Sequence, residues 1–228
     1  MRYFLLTTLI LTSLGANAFT LSEQLSPFKA KYTAEYNGRS LNGSRQLSVR
    51  DGQWQLTSEF KTTFVSIRES SQGNINNGTE LSVDRYDYKR KIFGIKKRQS
   101  RIFDNANNTV HFDDAKTTGT YSVPADAFDT ASQQLYIREM LMRGETQFSM
   151  PMAGRNRLKQ NHFKANKIAP ITLPIGTINA IQVDKIEGKK SSRKTTMWFS
   201  PDYDYQLVKL SQIEKNGKYY EMLVTEIE

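Results

Sequence analysis

The chain of 228 residues has a formal net charge of +9 at pH 7, 11% aromatic residues and no cysteine. Without cysteine, neither a disulfide framework nor a lipid anchor on an amino-terminal cysteine is expected, so the core must supply the stability. The excess of lysine and arginine favours an acidic partner surface.

Residues 1–18 have the pattern of a cleavable secretory signal peptide. Arg2 precedes an apolar stretch that ends at Leu14, and Ala16-Asn17-Ala18 matches an A-x-A cleavage site. The stretch is too short to cross a hydrocarbon core of about 30 Å as a helix, so we expect no transmembrane protein after cleavage. We predict a periplasmic protein whose acidic partners are lipid head groups or cell-wall polymers and not nucleic acid.

Alternating apolar and polar residues predict strands along residues 19–228, which we expect to form a single mainly-β domain. The alternation is clearest in residues 28–36 and 53–61. Five pairs of turn-forming residues predict hairpins between strands. These pairs are Asn37-Gly38, Asn42-Gly43, Asp51-Gly52, Asn77-Gly78 and Asn216-Gly217.

Residues 125–143 interrupt the alternation and predict one α-helix. The segment lacks glycine and proline, offers Asp126 or Asp129 as its N-cap, and ends at Arg143-Gly144. Its broad apolar face would lie against the concave side of a curved sheet. The Met-rich end would form a lid over a cavity, or the helix would simply fill the core, which is the favoured interpretation.

Residues 86–103 carry the densest positive charge. The Ile92-Phe93-Gly94-Ile95 stretch divides the basic residues, which predicts a hairpin with an apolar tip flanked by cations. Such a hairpin would bind an anionic membrane surface, or its lysines would protect a sheet edge from aggregation. The candidate residues for the anionic surface are Lys89, Arg90, Lys91, Lys96, Lys97, Arg98 and Arg101.

No motif in the sequence assigns a catalytic residue, a metal site or a cofactor. The histidines His111 and His162 do not have metal-ligand spacing. Asp113-Asp114 follows the first histidine, but neighbouring residues of a strand point to opposite faces. The end of a strand before a turn is therefore favoured over a base or metal site.

Residues 195–210, TTMWFSPDYDYQLVKL, predict a strand that ends at Ser200-Pro201-Asp202, followed by a second strand that enters the Asn216-Gly217 hairpin. Together with LPIGTINAIQVDKI at 173–186, this stretch resembles the carboxy-terminal half of the bacterial envelope family known as domain of unknown function 3108. FDTASQQLYIREML and FKAKYTAEYNG are similar to the central helix and the opening strand of that family. Gln206-Leu207-Val208 replaces the Leu-Pro-Val of the family pattern.

The resemblance implies a secreted antiparallel meander, curved into an open or half barrel around one helix, as in periplasmic lipoprotein carriers. It implies no catalytic residues, since the family has no established activity. The preferred hypothesis is a non-enzymatic periplasmic binding or carrier protein for an apolar, lipid-like ligand or an anionic envelope component. The alternatives are a protein adaptor of the envelope or a hydrolase using His111 or His162. Candidate residues of the concave face are Tyr32, Trp54, Phe60, Leu135, Met142 and Trp198.

Overall fold

The computed structural model describes residues 25–36, 39–76, 80–188 and 191–228. The predicted signal peptide and the Asn37-Gly38 and Asn77-Gly78 turns lie outside these residues. The described part contains one α-helix, α1 (Gln133–Met142), and one 14-stranded sheet. Its strands are β1 (Phe28–Tyr36), β2 (Arg39–Arg50), β3 (Gln53–Lys61), β4 (Val65–Asn76), β5 (Glu80–Ile92), β6 (Ile95–Asp104), β7 (Thr109–Asp113), β8 (Thr118–Ser122), β9 (Gln147–Ala153), β10 (Leu158–Leu173), β11 (Gly176–Ile186), β12 (Lys194–Ser200), β13 (Gln206–Ile213) and β14 (Tyr219–Ile227).

The sheet is an antiparallel meander made of two halves. Strands β1 to β8 pair in sequence toward one edge, and β9 to β14 pair in sequence from the other edge. The first and last strands pair with each other, from Ala30 opposite Ile227 to Tyr36 opposite Tyr220, and so join the halves. Because β8 and β9 are the two edges, the sheet is open, and the predicted mainly-β meander with one helix is confirmed.

Side chains hold the two edges of the sheet near each other. The Nε of Arg101 on β6 and the hydroxyl of Tyr121 on β8 both donate to the carbonyl oxygen of Gly154, at 2.7 and 2.8 Å. Arg155 forms an ion pair with the buried Asp114 at the start of the β7–β8 turn. These contacts connect β6, β8 and the β7–β8 turn to the β9–β10 turn. The sheet therefore curves back on itself although β8 and β9 are not joined by a ladder of backbone hydrogen bonds.

The core contains side chains from both halves of the sheet and from α1. Tyr32 and Trp54 are each 1% exposed. Their polar atoms are satisfied by backbone carbonyl groups: the Tyr32 hydroxyl donates to Leu207 at 2.6 Å, and the Trp54 indole donates to Ser82 at 3.2 Å. Satisfied polar atoms allow large aromatic rings to be buried at little cost. Other fully buried members of this core are Leu47, Leu56, Ile137, Met150, Phe163, Val183, Phe199 and Val208.

The helix is confirmed, but it begins eight residues later than the sequence pattern predicts. Asp126 is exposed, and Phe128 pairs with Met152 of β9 instead of entering a helix. The buried Asp129 accepts hydrogen bonds from the backbone N–H groups of Ala131 and Ser132 at 2.7 and 3.0 Å. Its side chain thus caps the turn that precedes α1. The N-cap position of the helix itself is Ser132, so the predicted N-cap at Asp126 or Asp129 is wrong.

Two of the predicted turns are confirmed, and one is wrong. Asp51 and Gly52 have φ angles of 50° and 73°, and Gly217 has a φ of 77°, as tight hairpin turns require. Asn42-Gly43 instead lies inside β2. A Cβ atom at Gly43 would lie 2.4 Å from Cδ1 of Phe60, so this glycine permits close packing and is not needed for a turn.

Candidate functional site

A cavity of about 1290 Å³ lies at one end of the curved sheet, between its two halves. The strand registers bring several hairpin ends together there. Val65 at the start of β4 is opposite Ile92 at the end of β5, and Tyr36 is opposite both Arg39 and Tyr220. The cavity reaches the surface at this end, since the lining residues Phe64 and Phe93 are 63% and 57% exposed.

The cavity is large enough for an acyl-chain ligand. Its volume exceeds the roughly 300 to 1,000 Å³ of pockets that hold drug-sized molecules. Apolar side chains from both halves of the sheet form much of its wall. They include Leu41, Phe60, Val65, Ile67 and Ile92 on β2 to β5, and Met197, Leu210 and Met222 on β12 to β14.

The rim of the cavity carries exposed apolar side chains next to lysines. The rings of Phe64 and Phe93 stack at a centroid distance of 5.7 Å, which joins the β3–β4 and β5–β6 turns. Ile95 is 73% exposed beside them. On the outer face of the β5–β6 hairpin, Lys91 is directly opposite Lys96. The predicted hairpin with an apolar tip flanked by cations is thus observed.

The cavity wall contains more positive than negative side chains: seven lysines and arginines against two glutamates. Three of the cations have carboxylate partners: Arg155 with Asp114, Lys185 with Glu187 at 3.7 Å, and Arg193 with Glu214 at 3.1 Å. The other four cations of the wall form no ion pair within 4.0 Å among the described residues. These four are Arg45, Arg90, Arg101 and Lys159.

Arg45 is the most deeply placed of these cations, with 3% of its surface exposed. Its Nε donates to the Ser58 hydroxyl at 3.1 Å, Nη2 donates to Gln134 of α1, and Nη1 has no hydrogen-bond partner. The guanidinium also lies 5.7 Å from the ring centroid of Tyr32. All these partners are neutral, so the positive charge of Arg45 has no directly bonded counter-ion.

Two carboxyl groups, Glu69 and Asp129, lie close to each other, and Glu69 also lies close to Arg45. Glu69 accepts a hydrogen bond from the Tyr86 hydroxyl at 2.7 Å, and Asp129 accepts one from the Ser71 hydroxyl at 2.5 Å. Burial raises the pKa of the Glu69 carboxyl, and repulsion from Asp129 raises it further, against the Tyr86 hydrogen bond and the attraction of Arg45. Burial also raises the pKa of Asp129. The interior therefore favours the neutral form of both acids.

The predicted basic segment is divided between the two faces of the β5–β6 hairpin. The hairpin register pairs Arg90 with Lys97 and leaves Arg101 opposite Tyr86. Arg90 and Arg101 line the cavity, and the Lys97 ammonium lies 5.8 Å from the ring centroid of Tyr88 on the inner face. The remaining four candidates are exposed and alternate with the inner residues, so they lie on the outer face. These outer residues are Lys89, Lys91, Lys96 and Arg98.

Only Phe60 among the six predicted concave-face residues lines the cavity. Tyr32, Trp54 and Leu135 are buried in the core. Met142, at the end of α1, is partly buried and does not line the cavity.

Trp198 lies on the opposite face of β12 from Thr195 and Met197, which line the cavity. Its ring packs 5.0 Å from the ammonium of Lys209.

Five lining cations escaped the sequence interpretation because they come from segments far apart in the chain. They are Arg45 on β2, Arg155 in the β9–β10 turn, Lys159 at the start of β10, Lys185 near the end of β11, and Arg193 just before β12. The sequence does contain a signal for Arg45. Arg45 shares the inward period of Leu41 and Leu47, and a charged residue at an apolar position of a strand indicates a buried polar site.

Neither histidine lines the cavity. His111 and His162 are exposed, on β7 and β10 respectively. Strand β7 ends at Asp113, which confirms the predicted strand end. In the ranges that the structure describes, no cluster of three or more His, Asp or Glu side chains has the geometry to hold a metal ion.

The model of a family described as proteins of unknown function, DUF3108, matches residues 31–225. The chain belongs to the DUF3108 family. No curated protein matches the chain. In the part of the chain that the structure describes, no helix combines the length and apolar character needed to cross a membrane.

One of three similar solved structures supports the fold of this DUF3108 member. The β-barrel-like DUF1849 protein from Brucella abortus is 6% identical, with a TM-score of 0.60 and coverage of 90% of this chain and 98% of that one. A candidate lipoprotein from Parabacteroides distasonis is 13% identical, with a TM-score of 0.34 and coverage of 90% and 96%. A candidate exported protein with a YmcC-like fold from Bacteroides fragilis is 8% identical, with a TM-score of 0.30 and coverage of 88% and 95%.

The raised pKa of Glu69 predicts a specific pH dependence of stability. A carboxyl whose folded pKa lies above its ordinary value of 4.5 contributes stability that is present below that value and lost as the pH rises through the folded pKa. Glu69→Gln keeps an acceptor for the Tyr86 hydroxyl, so we expect the variant to unfold at higher urea than the wild type at neutral pH. The difference should shrink below pH 4.5. A variant less stable than the wild type at neutral pH would show that Arg45 and Arg101 outweigh burial.

Proposed function

We propose that this protein is a non-enzymatic periplasmic carrier that holds an amphipathic, lipid-like ligand in its cavity and contacts an anionic envelope surface with the cavity rim. The cavity is the observation that carries the proposal. Its volume, its apolar walls and its cations suit a molecule with an acyl chain and an acidic group. The signal peptide predicted over residues 1–18 supports a periplasmic location.

The rim supports the membrane half of the proposal. Phe64, Phe93 and Ile95 expose apolar surface where the cavity meets solvent, and Lys91 and Lys96 lie next to them. Exposed apolar side chains in a basic surround suit an anionic bilayer, where each lysine contributes on the order of 1 kcal/mol. A rim that touches the bilayer would let a ligand pass between membrane and cavity without crossing water.

Filling the cavity should abolish binding of an apolar probe. Ile67 points into the cavity from β4, and Ser66, its exposed neighbour, points outward. We expect Ile67→Trp to reduce the affinity for the fluorescent probe N-phenylnaphthylamine at least roughly tenfold, because the indole would occupy the apolar wall. Ser66→Trp is the matched control and should bind as the wild type does.

The probe titration also separates the proposed carrier from its alternatives. If Ile67→Trp and Ser66→Trp bind the probe equally, the probe does not enter the cavity and the carrier proposal loses its support. If the wild type binds no apolar probe at all, a protein adaptor of the envelope becomes the better hypothesis.

A further inference from the structure

The floor of the cavity contains a row of polar side chains between the apolar core and the apolar wall. The strand registers place Arg45 opposite Ser58, Ser58 opposite Glu69, and Glu69 opposite Tyr88. The next row toward the rim contains Phe60, Ile67 and Arg90. On this side of the cavity, Arg45 and Glu69 therefore lie at the floor, and Arg90 lies one row closer to the rim beside the apolar Phe60 and Ile67.

Two arginines of this region present buried N–H groups without a partner. Nη1 of Arg45 and Nε of Arg90 are inaccessible to water and form no hydrogen bond with the protein. Arg45 itself is 97% buried, given its exposure of 3%. An unsatisfied buried donor costs about 1 to 3 kcal/mol, and more when it is charged, so such groups indicate a ligand that completes the bonding.

The acids nearby do not neutralise this cluster by direct contact. Glu69 is bonded to the Tyr86 hydroxyl, and Asp129 is bonded to Ser71 and to backbone N–H groups. No carboxylate oxygen lies within 4.0 Å of an Arg45, Arg90 or Arg101 nitrogen in the described residues. Arg45, Arg90 and Arg101 therefore line the same cavity without a directly bonded carboxylate.

We infer that Arg45 and Arg90 form a subsite for the anionic head group, phosphate or carboxylate, of an acyl amphiphile that enters the cavity head first. Arginine suits this role because its planar donors match two oxygens of such an anion. The acyl chain would then follow the Phe60 and Ile67 wall toward the stacked Phe64 and Phe93 at the rim. The inference rests on the proposed carrier function and names the chemical class of its ligand.

Three probes test the head-group subsite by titration calorimetry: dodecyl phosphate, dodecanol and inorganic phosphate. The wild type should bind dodecyl phosphate roughly tenfold to a hundredfold more tightly than dodecanol, from hydrogen bonds to a charged group. Arg45→Met and Arg90→Met should each lower this ratio about tenfold while dodecanol still binds. Arg50→Met removes the same charge at the exposed far end of β2 and should leave the ratio unchanged.

Arg90→Met keeps the test conclusive if Arg45→Met does not fold, because Arg90 is only partly buried. Equal binding of both dodecyl compounds by the wild type would overturn the head-group subsite and leave the carrier function in place. Binding of neither compound would overturn the carrier function itself. Inorganic phosphate that binds as tightly as dodecyl phosphate would assign the subsite to a free anion and overturn the lipid head group.

Discussion

Asp129→Ala is expected to lower the free energy of unfolding by about 3 kcal/mol, whereas Asp126→Ala should leave it nearly unchanged. The buried Asp129 carboxyl group accepts hydrogen bonds from two backbone N–H groups and from the Ser71 hydroxyl of β4. Alanine would leave these donors unsatisfied in the interior. It would also release the turn that leads into α1 from the sheet that it packs against.

The comparison with Asp126 isolates the capping role. Both aspartates satisfy the N-cap pattern in the sequence, but Asp126 is exposed. Chemical denaturation of the two alanine variants and of Asp129→Asn measures the difference. Asn retains an acceptor for the backbone and a donor for Ser71, so it should recover much of the loss. Equal stability of Asp129→Ala and Asp126→Ala would contradict the capping assignment.

Charge reversal at the rim should produce the largest effect on membrane binding. Lys91→Glu with Lys96→Glu replaces two attractive charges with two repulsive ones beside the exposed Phe93 and Ile95. At about 1 kcal/mol per charge, we expect binding to vesicles rich in anionic phospholipid to weaken a hundredfold or more. Vesicle co-sedimentation at fixed ionic strength measures this change.

A matched variant separates local docking from net charge. Arg50→Glu with Lys167→Glu changes the net charge by the same amount at exposed positions away from the rim. This control should weaken vesicle binding far less than the rim variant. Phe64→Ser tests the apolar contribution without a change in charge and should also weaken binding. If the control and the rim variant lose affinity equally, the rim is not a docking surface.

The fold was predictable because its strands follow the simplest periodicity. Alternation in β1 and β3, and the turns at Asp51-Gly52 and Asn216-Gly217, predicted a meander that the structure confirms. Asn42-Gly43 was wrongly predicted to be a turn because glycine suits both a positive φ and close packing. Only the position of the Phe60 ring in the folded protein shows that close packing is the reason for this glycine. The start of α1 was misjudged because Phe128 pairs with β9, a contact that local sequence does not contain.

The candidate site was only partly predictable. The basic hairpin was visible in the sequence, and strand alternation alone would have separated the inward Arg90 and Arg101 from the outward lysines. The cavity was not visible, since its wall combines Arg45 with Lys185 and Arg193 through the pairing of β1 with β14. Trp198 was assigned to the wrong face because both faces of the carboxy-terminal strands carry aromatic residues.

Native mass spectrometry of the protein purified from the periplasm, followed by lipid extraction, tests the carrier function most directly. We predict a bound acyl amphiphile with an acidic head group at near-unit stoichiometry, lost in Ile67→Trp and retained in Ser66→Trp. A wild-type protein whose mass matches the polypeptide alone, and which takes up no amphiphile when incubated with envelope lipid, would contradict the carrier function.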